Sequence, residues 1–100
     1  MIDEPRERAA MERGRHAREL LDDPLLQEAF DAVAAKLIEA WRATPMMDTA
    51  ARERFHLATV LLDRAKSALG EMVTNGEMSA ETIRSLSGER AGVLARMVRR

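Results

Sequence analysis

Ala51, Phe55, Ala58, Leu62, Ala65, Leu69 and Met72 follow one another at steps of 4-3-4-3-4-3. That spacing holds one apolar stripe on a single side of an α-helix for three heptads, and it does not fit the two-residue period of a strand. A helix carrying such a seam has to lay it against another helix. A candidate mate lies just upstream, where Leu26, Phe30, Val33, Leu37 and Trp41 repeat at three- and four-residue steps. Leu25, Ala29, Ala34, Ile38 and Ala40 widen that stripe. The two are joined by Pro45-Met46-Met47, and so short a connection predicts antiparallel neighbours.

The punctuation around these stripes divides the chain. Asp22-Asp23-Pro24 is a start signal, since Asp23 can cap and Pro24 suits the first helical position, where no N–H is needed. Thr44-Pro45 stops the first helix, because the proline ring disfavours a helical residue before it. Asp48 or Thr49 caps the second. Asn75-Gly76 reads as its C-terminal stop, both residues tolerating the left-handed conformation found there. Residues 22–76 are therefore expected to form a helical hairpin core. Residues 1–21 read as a charged N-terminal helical arm that buries little: Glu4/Arg8, Arg8/Glu12 and Arg15/Glu19 pair at four-residue spacing, but Gly14 weakens the middle by about 1 kcal/mol. Residues 77–100 read as a short C-terminal helical segment, capped by Ser79, broken at Ser87-Gly88 and weakened at Gly92. The expected fold is all-α: a central antiparallel two-helix hairpin, a weaker N-terminal helix and one or two short C-terminal helices.

Composition narrows the function classes. Ala, Leu, Met, Arg and Glu dominate, all good helix formers, and there is no cysteine, so disulfides and thiolate chemistry are excluded. Charged residues are 33% of the chain but nearly cancel, to a net charge of -1. A duplex-DNA binder ordinarily carries a basic excess on one surface. Here the imbalance is mild, with three acids against five arginines over 77–100 and nine acids against six bases over 22–76. No apolar run approaches the roughly 20 residues of a membrane span, and Asp3 and Glu4 stand where a signal peptide would be basic. A cytoplasmic protein with no membrane partner is expected.

Candidate chemistry is thin. Glu53-Arg54-Phe55-His56 matches the E-x-x-H of helical di-iron sites, with Glu39 across the turn as a further carboxylate. The seam through Phe55 and Ala58 turns Glu53 and His56 outward, however, so these read as surface residues, as does His16. No phosphate-loop, dinucleotide, nucleophile-elbow or zinc-protease motif occurs. No catalytic, cofactor-binding or metal residue is assigned, and a non-enzymatic chain without cofactor is expected. Trp41 reads as closing the core at the turn, with Met46 and Met47 beside it open to either a packing or a contact role. Residues 69–86 could be arranged as a helix-turn-helix with Arg84 on the reading helix, and Arg96, Arg99 and Arg100 could grip phosphate, or equally complement the negative end of the last helix.

Leu57, Val60 and Leu61 lie beside the seam, so the apolar face is broader than one mate covers. Ala58, Ala65 and Ala68 would let another helix come close. These three larger residues are the expected oligomer interface, and the chain is expected to form a homo-oligomer unless its terminal segments fold over them.

Asp22-Asp23-Pro24-Leu25-Leu26-Gln27-Glu28-Ala29-Phe30, Trp41-Arg42-Ala43-Thr44-Pro45, Asp48, Arg52-Glu53, Leu62-Asp63-Arg64, Leu69 and Asn75-Gly76 together resemble a group of short helical proteins. That group is encoded near head and DNA-packaging genes of phages, prophages and gene transfer agents. The resemblance covers roughly residues 20–76 and lies in caps, turn and seam; no ligand-binding residue carries over. It implies an assembly or DNA-packaging accessory, acting through helix-mediated oligomerisation, with phage head or packaging proteins as partners and a place in the cytoplasm or in a phage-like particle. The alternative reading is a small-terminase-like DNA-recognition subunit or small DNA-binding regulator, using Arg84, Arg96, Arg99 and Arg100.

Overall fold

A computed structural model describes residues 2–98. Every element among them is a helix: α1 (Glu4–Asp22), α2 (Pro24–Ala43) and α3 (Thr49–Val98). The first two boundaries follow from local chemistry. Asp3 caps α1 by accepting from Arg6 N–H at 3.2 Å, and Arg15 holds Glu12 and Glu19 at 2.9 and 2.7 Å along the exposed side. Asp23, extended as a residue before proline should be, ends α1 and caps α2 through Leu25 N–H at 2.9 Å. Thr44 ends α2 with ψ 129° and donates its hydroxyl to Ala40 O at 2.7 Å. Of the two candidate caps of α3, Asp48 is the one used, accepting from Ala51 N–H at 3.1 Å.

The all-helical class is as expected, but the arrangement departs from a compact centre with weak ends. Helix α3 is one unbroken element of 50 residues, about 75 Å long at 1.5 Å per residue. Gly76 does not stop it, and neither Ser87-Gly88 nor Gly92 breaks it, so the short C-terminal helices and the boundary at 76/77 are not seen. None of its glycines adopts a positive φ. Nor is α1 an arm that buries little. It makes the most extensive packing in the molecule, antiparallel to the C-terminal half of α3, with Glu4 bonded to Arg90 at 3.1 Å at one end and Arg18 to Glu77 at 3.3 Å near the other.

The reason lies at the crossing point. Gly14 and Gly76 are both buried and face each other so closely that a Cβ built on Gly14 would stand 2.8 Å from the Gly76 Cα. Two helices without side chains at the crossing can bring their backbones into contact, which recovers dispersion energy along both. Ala17, Val73, Ser79 and Ile83 complete the buried set around that point. The loss of about 1 kcal/mol that a glycine brings to a helix interior is outweighed here by tertiary packing that local sequence does not display.

Helix α2 contacts the N-terminal half of α3 more loosely and contributes no fully buried residue. Trp41 lies against Arg52, and Phe30 against Lys66, so α2 continues along α3 where α1 leaves off. The molecule is a rod measuring 81 × 28 × 16 Å with a radius of gyration of 22.2 Å; a compact chain of this length would have about 13 Å.

Candidate functional site

The N-terminal half of α3 meets α2 on one side only. Phe55, Ala58 and Leu62 are half-buried toward that side, while Leu57 and Leu61 are 55% and 56% exposed. Val60 is half-buried. Of the expected association residues, then, two stand open to solvent and one is partly covered. Val33 of α2, expected in the inward stripe, is 48% exposed. Ala65 is exposed in place of the seam position expected of it, and Ala68 is exposed as well. Met72, read as the last seam residue, is 38% exposed, and Val73 replaces it inside because the face of α3 turned to α1 is not the one the heptads marked.

Two cation–ring contacts join α2 to α3 beside its half-buried apolar residues. The Arg52 guanidinium lies 4.7 Å from the Trp41 ring centre and also donates to the Thr44 carbonyl at 3.3 Å. The Lys66 ammonium stands 5.8 Å from the Phe30 ring centre. Such contacts contribute about 0.5–1 kcal/mol each where exposed. Trp41 is 40% exposed, so it shields the turn through Arg52 and does not close a core. Met46 and Met47 are 81% and 91% exposed, so neither packs into the turn.

The remaining candidates are scattered. Glu53 and His56 line an open cleft of about 550 Å³ with Ile38, Trp41, Arg52, Phe55 and Thr59. Among the described residues no three His, Asp or Glu side chains converge on a metal-sized site. Arg84 pairs with Glu81 at 3.3 Å and Arg96 donates to Gly92 O within its own helix; Arg99 and Arg100 lie outside the described residues. The arginines beside the α1/α3 groove are also engaged, Arg8 with Glu4, Arg15 with Glu12 and Glu19, and Arg18 with Glu77. Hydrogen bonds from Arg90 and then Arg8 hold the Glu4 carboxyl below the usual carboxylate range, and Glu12 raises the Arg15 guanidinium further above its ordinary value. No described helix is long and apolar enough to cross a membrane.

Sequence reasoning passed over the Gly14/Gly76 crossing. Its signal was present: Ala10, Gly14, Ala17 and Leu21 step 4-3-4, and Val73, Gly76, Ala80 and Ile83 step 3-4-3. Comparison with known protein families, with curated proteins and with solved structures finds no match to the chain.

Proposed function

We propose that the chain is a non-enzymatic assembly module that self-associates through the open face of α3 around Leu57, Val60 and Leu61. The observation that carries this is the exposure of Leu57 and Leu61 beside a helix, α2, that leaves their side of α3 bare. Area supports it. The chain exposes 8184 Å², whereas a compact monomer of 11.2 kDa would expose about 5,700 Å². The surplus of about 2,500 Å² is ample for the roughly 800 Å² that each partner gives to an ordinary interface. The resemblance of residues 20–76 to short helical proteins of phage, prophage and gene-transfer-agent clusters supplies the setting: an accessory of head assembly or DNA packaging. The α2–α3 hairpin would be the part that presents the surface. DNA recognition by Arg84 and Arg96 draws less support, since both are engaged within α3.

Light scattering tests the reading. The chain should run at twice its 11.2 kDa mass or more, and Leu61→Glu should return it to a monomer by placing a charge in an apolar interface. A monomeric wild-type chain at tens of micromolar defeats the proposal. Salt-sensitive retardation of DNA by that same monomer would turn the reading toward the alternative.

A further inference from the structure

We infer that the occupant of the open α3 face is the same face of a second copy, laid antiparallel across a two-fold axis level with the junction of Leu62 and Asp63. This rests on the self-association reading and adds its register.

The face carries large and small residues in separate halves. Leu57 and Leu61 stand toward the N-terminal end, Ala65 and Ala68 toward the C-terminal end, and all four are exposed. Interhelical distance is set by the side chains at the contact, and interiors are filled without voids. A parallel pair would set leucine against leucine at one end and alanine against alanine at the other, so no single separation would fill both. It would also place Arg54 beside Arg54. The antiparallel pair resolves both conflicts. Leu57 comes level with Ala68 of the partner subunit, Leu61 lies within one residue, about 1.5 Å, of level with Ala65 of the partner subunit, and the two-fold repeats each contact. The same register brings Arg54 level with Glu71 of the partner subunit. Both are exposed and neither makes an ion pair among the described residues. Size complementarity and charge complementarity therefore select one orientation. A self-complementary patch closes on itself as a dimer and leaves no open end for further addition.

Because the chain has no cysteine, introduced thiols report on this arrangement alone. Leu57→Cys and Ala68→Cys are prepared separately, mixed under reducing conditions to allow subunit exchange, and then oxidised gently. A disulfide needs Cα atoms within about 7 Å, so the mixture should give at least about tenfold more covalent dimer than either variant alone. In the proposed register two copies of position 57 lie about 16 Å apart along the axis. Cross-linking of Leu57→Cys by itself would establish a parallel pair and overturn the inference while leaving self-association standing. Absence of any cross-link in samples that scatter as dimers would overturn the register too. A monomeric wild-type chain removes both the inference and the reading beneath it.

Discussion

Glycine has opposite consequences at different places in the chain. At Gly14 an added methyl would stand 2.8 Å from both the Gly76 Cα and the Met72 carbonyl oxygen, which are backbone atoms that cannot swing aside. Gly14→Ala should therefore destabilise the fold by about 1–3 kcal/mol, even though alanine favours helix. Gly70 has nothing within 4 Å of its virtual Cβ. Gly70→Ala should stabilise by about 0.5–1 kcal/mol. Denaturant unfolding of the two variants decides the matter, and equal signs would mean that the crossing is not as close as described. Glu4 gives a pH signature. Its carboxyl is lowered by Arg90 and Arg8, so its contribution is present above the unfolded value and is lost as pH falls through the folded one. Wild type should unfold later than Glu4→Gln at neutral pH, and the gap should close as pH falls beneath the ordinary carboxylate range and through the lowered value. A gap that persists in acid would show that the Arg90 contact does not depend on the charge.

Among the elements, α2 was the most legible, because Asp23-Pro24 and Thr44-Pro45 act within a residue or two of the boundaries they set. The cap by Asp48 was legible as one of two choices. The course of α3 was not. Asn75-Gly76 carries the local marks of a stop, and only the chain 62 positions away, at Gly14, makes it a continuation. Leu57 and Leu61 could be placed on an open face because a heptad phase is enough to separate flank from seam. Trp41 could not, since its exposure depends on where Arg52 reaches. Amide hydrogen exchange should be slowest in α3 at Val73–Ile83, where the buried residues gather, and fast in the exposed turns beyond the ion pair of Arg90 with Glu4. Rapid exchange at 75–78 would restore the two-helix description that the continuous helix replaces.

For the whole molecule, small-angle scattering on monomeric Leu61→Glu should return a radius of gyration near 22.2 Å. A value close to the roughly 13 Å of a compact chain would mean that α1 and α2 fold over the face here described as open. The pairing of Glu4 with Arg90 carries one more consequence. It gathers the start of α1 and the last turns of α3 at one pole of the rod, while Met46 and Met47 mark the opposite pole. In the two-fold antiparallel pair, cargo joined before Glu4 or after Val98 would emerge from opposite ends of the assembly, and a fluorophore at that pole of each copy would read out the distance between the two.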